Sequence, residues 1–156
     1  MGRTDTRTRI AALIEDDKAV LGLTTVLRYV PEGFAGWEPP ALFVAPAPET
    51  ITYPQMEKLV NRNQVWALRL LWQEVGKGWT ADHQQKMDNC IDDIITLLNG
   101  NPVLRRSDNG PEGLQQSQWA AVRMLTPYAF PAGQDQRYYH AAELTLLTLY
   151  SELCQS

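Results

Sequence analysis

The side chains of this 156-residue sequence best suited to chemistry are two histidines, two cysteines and a scatter of carboxylates. His83 and Cys90 stand seven positions apart, so a helix would bring them to one face. His140 and Cys154 are remote from both. Structural zinc sites draw their ligands as closely spaced pairs, and no such pair occurs here. The spacing therefore predicts no metal site, and the histidines read as one residue at a helix start and one in a strand. Glu15, Asp16 and Asp17 are consecutive, as are Asp92 and Asp93. Neighbours on a helix point in different directions, so these clusters read as solvated faces rather than as a paired acid and base. There is no nucleophile-elbow motif, Walker loop, dinucleotide fingerprint or HExxH. Ser107 and Ser117 lie in a polar stretch, and nothing in their spacing to His83 or His140 points to a triad. The expectation is a protein that is not an enzyme and uses no cofactor.

Aromatic residues are the more informative excess: five tryptophans and six tyrosines. Such rings are enriched in the cores of protein interfaces. Phe34 and Trp37 sit in a loop from Glu32 to Pro40 punctuated by Gly33, Gly36, Pro39 and Pro40. Two large rings on a loop either form a contact surface or fold back onto the edge of the core, and both readings stand at this point. Arg105 and Arg106 form a small basic spot in a second, polar loop. Phe34, Trp37, Arg105 and Arg106 are thus the candidate protein-contact residues. Arg69 and Arg123 lie within strand-like runs, where each faces either a subunit neighbour or a solvated sheet surface. No basic stripe is present to support specific nucleic-acid recognition.

The elements that must position these groups are organised around Thr80–Pro102. Met87, Cys90, Ile91, Ile94, Leu97 and Leu98 recur at helical period, predicting an amphipathic helix with one buried stripe. Thr80 suits the N-cap, Asp82 the positive end of the dipole, and Gly100 a left-handed stop before Pro102. A first helix is predicted over Thr6–Lys18, with Ile10, Leu13 and Ile14 on its apolar face and Gly22 ending the segment. Its basic residues precede its acidic ones, opposing the helix dipole, so it must rely on packing. Leu23–Val30, Ala41–Ala45 and Gln64–Val75 read as strands, the last by alternation of Trp66, Leu68, Leu70 and Trp72. Pro46 and Pro48 are expected to end the second of these. Glu49–Asn63 reads as irregular, with a possible short strand at Ile51 and Tyr53. Asn101–Gln118 reads as a long loop after a short extended piece at Val103 and Leu104. Trp119–Tyr128 and Tyr138–Tyr150 close the chain as a hairpin.

The fold class expected is α+β: a mostly antiparallel sheet packed by an N-terminal helix and one central helix, in a single domain over residues 1–156. Hydrophobic residues at 44% and charged residues at 21% exclude a disordered chain. The net charge of -4 argues mildly against nonspecific binding to nucleic acid. No apolar run approaches the ~20 residues that span a bilayer, and the first residues lack the apolar core of a signal peptide. Cys90 is expected as a buried thiol and Cys154 near a frayed end, which suits a reducing compartment.

In arrangement the chain resembles the tail terminator proteins of long-tailed bacteriophages, the small proteins that cap the tail tube and join it to the head. The likeness is carried by an N-terminal helix ending near Asp17 and a strand leading to Pro31. It continues through the proline-flanked PPALFV at Pro39–Val44, the strand QVWALRLLW at Gln64–Trp72, a helix over Asp82–Leu98 and two final strands. The resemblance covers nearly the whole chain and brings no catalytic motif. The long segments Glu49–Asn63 and Arg105–Gln118 depart from a compact version of the pattern. It implies a structural virion protein, assembled in the host cytoplasm and located at the tail neck. It implies a homo-oligomeric ring, typically a hexamer, that binds the last ring of tail tube protein and halts tube growth. The other ring face would meet the head-side connector or completion protein, with genomic DNA passing through the lumen without specific binding. Another neck component, or a non-viral small α+β enzyme or binding domain, is the alternative.

Overall fold

The computed structural model describes residues 3–52, 59–101, 104, 114–131 and 136–153. Nine elements follow in order: α1 (Arg3–Asp16), α2 (Lys18–Leu21), β1 (Thr25–Leu27), β2 (Ala41–Thr52), β3 (Leu59–Glu74), α3 (Ala81–Asn99), β4 (Leu114–Met124), β5 (Tyr128–Phe130) and β6 (Arg137–Leu153). The strands form one sheet in the order β1-β2-β3-β6-β4, and β5 pairs with β6 further along the same side as β4. Among the described pairings only β1–β2 is parallel. The other pairings are antiparallel, so the α+β class with a mostly antiparallel sheet and two packing helices is what the chain adopts.

The helix stripe behaves as its period requires. Met87, Cys90, Ile91, Ile94 and Leu98 are buried, and Leu97 is half-buried against them. Thr80 caps α3: its hydroxyl accepts from the His83 N–H at 3.4 Å, and His83 Nδ1 accepts from the Thr80 N–H at 3.1 Å. Two orphan donors of the first turn are satisfied by this reciprocal pair. Gly100 closes the helix in right-handed geometry (φ -75°), not left-handed as expected, and its N–H bonds the Thr96 carbonyl at 3.0 Å. Asn101 Nδ2 donates to the Leu97 carbonyl at 2.8 Å, so the side chain of the next residue satisfies an orphan acceptor. The left-handed stop lies instead at Gly22 (φ 80°), after α2.

α1 relies on packing, as its unfavourable charge order demands: Ile10, Leu13 and Ile14 are all buried. α1 packs on β1 and β2, while α3 packs on β4 and on both other helices. Below them Leu42, Val44, Trp66, Leu68, Leu70, Ala142, Leu144 and Leu146 present one continuous apolar sheet face.

Four expectations need correction. β2 does not end at Pro46: it runs to Thr52, with Pro46 still paired to Trp66 and a register shift between Pro46 and Glu49 that takes Pro48 out of the ladder. A bulge is where a sheet tolerates residues lacking an N–H. Glu49–Asn63 is consequently strand at both ends rather than irregular, with Ile51 in β2 as the short-strand reading allowed, Leu59–Asn63 in β3 and Tyr53 outside the described residues. β4 begins at Leu114, inside the stretch read as loop. Leu104, read as extended, has φ 55° and is fully buried in the helix-side core. The final hairpin forms as expected, with its first arm divided into β4 and β5.

Candidate assembly surface

Both histidines and Cys90 make packing contacts, while Cys154 lies outside the described residues. Trp79 stacks on both histidine rings, at centroid distances of 3.8 Å to His140 and 5.8 Å to His83. Burial lowers the pKa of His140, because desolvation penalises its charged form. Cys90 lies in the core under α3, and burial, followed by the charge of Asp93, pushes its thiol up to about 12. A thiol held protonated in that way is a poor nucleophile. Among the described residues no three histidines, cysteines or carboxylates gather as a metal-binding group.

Phe34 and Trp37 fold back onto the sheet, which is one of the two readings open from the sequence. Trp37 is 7% exposed, and Phe34 is half-buried beside it. The Trp37 ring meets Phe43 edge-on at 5.1 Å and Phe130 at 5.6 Å, and its Nε1 donates to the Gly33 carbonyl at 2.7 Å. With Ala41, Leu71, Tyr139 and Ala141 these rings form a second core on the face of the sheet opposite the helices. Aromatic pairs in such edge-on arrangements add to the area they bury. Arg137 stands over the Phe34 ring at 4.1 Å and closes the outer side of the cluster. Arg105 and Arg106 lie outside the described residues.

Arg69 and Arg123 share one carboxylate within the chain. Arg69 Nε lies 3.3 Å from Glu143 Oε2, and Arg123 Nη2 lies 3.3 Å from Glu143 Oε1. The register explains this: Arg69 and Arg123 both pair with Glu143, from β3 and β4 on either side of β6. Directly opposed residues on adjacent strands share a face, so a row of three charges crosses the open side of the sheet. Arg123 keeps 68% of its side chain exposed, which leaves a positive charge at the rim of this face.

The sheet has two edges, and sequence reasoning did not mark either. Among the described residues β4 pairs only with β6, and every residue from Val122 to Met124 is exposed. Val122 is 44% and Met124 49% exposed. They pair with Leu144 and Ala142 of the helix-side core, so both belong to the helix side of the sheet. At the other edge, β1 pairs only with β2 among the described residues. Beside it Thr8, Ala11, Ala12, Glu15, Val26 and Arg28 line a groove of about 380 Å³ between α1 and β1. A readable signal did exist in the sequence: Leu114–Met124 carries a single charge and neither lysine nor proline, the residues that usually blunt an edge.

The sequence matches no protein-family model and no curated protein.

Proposed function

We propose that this chain is a structural subunit of a bacteriophage tail, forming a ring that caps the tail tube, stops its polymerisation and joins the tail to the head connector. The observation that carries the reading is the order of elements. An N-terminal helix and a central helix pack on one sheet of the PPALFV and QVWALRLLW strands and a final hairpin, whose two edges have no further strand partner among the described residues. A closed ring needs two different surfaces on each subunit, so that each copy binds the next without a free end. A ring of that kind stops a tube by offering the tube end a matching face and the opposite side a face that recruits no further tube subunit. Beside the loop of Phe34 and Trp37 and the pair Arg105 and Arg106, this reading counts the sheet edges and the open sheet face as contact surfaces.

The test is genetic and morphological. A phage carrying an early stop codon in this gene is expected to give overlong tails, or tails and heads that do not join. Tails of normal length with unjoined heads would assign the chain to a connector or completion protein instead. Normal infectious particles would overturn both.

A further inference from the structure

We propose that copies of this chain join edge to edge, β4 of one lying along β1 of the next, with Val122 and Met124 seated in the groove between α1 and β1. This inference rests on the ring reading above and names the contact that builds it.

Three observations converge on it. The first is the backbone. Beyond β6 the outer side of β4 has no strand partner among the described residues, nor does the outer side of β1 beyond β2. An unpaired row of N–H and C=O groups is matched by an extended chain. The second is direction. β1 and β2 run together, and β3, β6 and β4 then alternate, so β4 runs opposite to β1. A rotation about an axis along the strands preserves strand direction and keeps the same face outward. Neighbouring copies in such a ring therefore meet as an antiparallel β4–β1 pair, with their helices on the same side.

The third is complementarity. Val122 and Met124 are apolar, exposed and on the helix side of one edge. The groove at the other edge is also on the helix side, because Val26 pairs with Leu42 of the helix-side core. Its lining offers Val26 and the small residues Ala11 and Ala12 beside Thr8, Glu15 and Arg28. Projecting apolar side chains on one edge thus face a hollow on the matching side of the other. Pairing like edges would close the assembly at two copies and leave the groove unfilled.

The experiment uses the full chain with Ala12→Cys and Val122→Cys, singly and together, in a Cys154→Ser background and a short bis-maleimide cross-linker. Cys90 stays, since it is buried. The double variant is expected to give a ladder of covalent oligomers on a denaturing gel. The two single variants should cross-link only when mixed, and then only to a dimer. Cross-linking of Val122→Cys alone at the strength of the mixture would overturn the proposal in favour of like-edge pairing. Absent cross-links while the wild-type protein sediments as a closed oligomer would overturn this contact and leave the ring reading standing. Absent cross-links with a monomer at every concentration would overturn it too, and the ring reading would then rest on the tail-length experiment. A second variant, Val122→Asp with Met124→Asp, changes only exposed side chains and should keep the wild-type unfolding midpoint. It should raise the concentration needed for assembly about tenfold or more, because it removes the apolar contact with Val26, Ala11 and Ala12 and places two carboxylates beside Glu15. Unchanged assembly by that variant would also overturn the proposal.

Discussion

The two faces of the sheet are covered in different ways. On one, α1 and α3 lay helical stripes over Leu42, Val44, Trp66, Leu68 and Leu70. On the other, among the described residues, a nine-residue loop, Glu32 to Pro40, covers one end, through Trp37 and Phe34 against Phe43, Leu71 and Phe130. The helix side is a broad aliphatic core with period written into the sequence. The loop side is a small aromatic core in which one ring does most of the covering. Beyond it Arg69, Glu143 and Arg123 occupy the open surface as a charged row. The contrast shows how one sheet can bury one side under helices while the described residues leave much of its other side uncovered.

Removing the central ring of the smaller core tests this most severely. Trp37→Ala should cost about 3–5 kcal/mol, while Phe34→Ala, at the half-buried rim, should cost clearly less. Denaturant midpoints measure both. Equal and small losses would mean that the loop is an appendage resting on the sheet. On the helix side Ile94→Ala should cost about 2–5 kcal/mol, because Ile94 is fully buried at the middle of the stripe. Asp93→Ala, on the exposed side of the same turn, should change stability little. Similar midpoints for the pair would contradict the packing of α3.

A smaller effect is expected from the cap. Thr80→Ala should cost about 1 kcal/mol, since the His83 N–H would lose its acceptor. Thr80→Ser should restore most of it, and a Ser variant as weak as the Ala one would show that the hydroxyl is not the group at work. The smallest effect is a pH dependence at His140, whose pKa in the folded chain is below the ordinary 6.5. As pH falls through 6.5 the unfolded chain takes up a proton first, so stability declines from there down through the folded pKa. His140→Phe, which keeps a ring against Trp79, should flatten that part of the stability profile. An unchanged profile would mean the decline comes from other groups.

Much of the helix side was legible in the sequence, because local period and burial agree there. Ile91, Ile94 and Leu98 recur at helical spacing, and Trp66, Leu68 and Leu70 alternate at strand spacing; each pattern has one element that satisfies it. Thr80 at the N-cap and the final hairpin were legible for the same reason, since caps and alternation are written within a few residues. The limits of β2 were not, because Pro46 and Pro48 read locally as a stop, whereas pairing with β3 carries the strand past them through a bulge. Nor could local pattern decide the fate of Trp37. A ring on a glycine- and proline-rich loop reads alike whether it meets solvent, a partner or its own sheet. Only the juxtaposition of Phe43, Phe130 and Tyr139, up to about a hundred residues away in the chain, makes it a core residue. The shared carboxylate of Arg69 and Arg123 has the same origin: strand order alone places β6 between β3 and β4 and so sets Glu143 between two arginines. Composition and period determined which residues are apolar stripes and which elements carry them. Which stripes meet, which edges stay open and which charges are paired was decided by the tertiary structure, because those depend on contacts distant in sequence that no local spacing encodes.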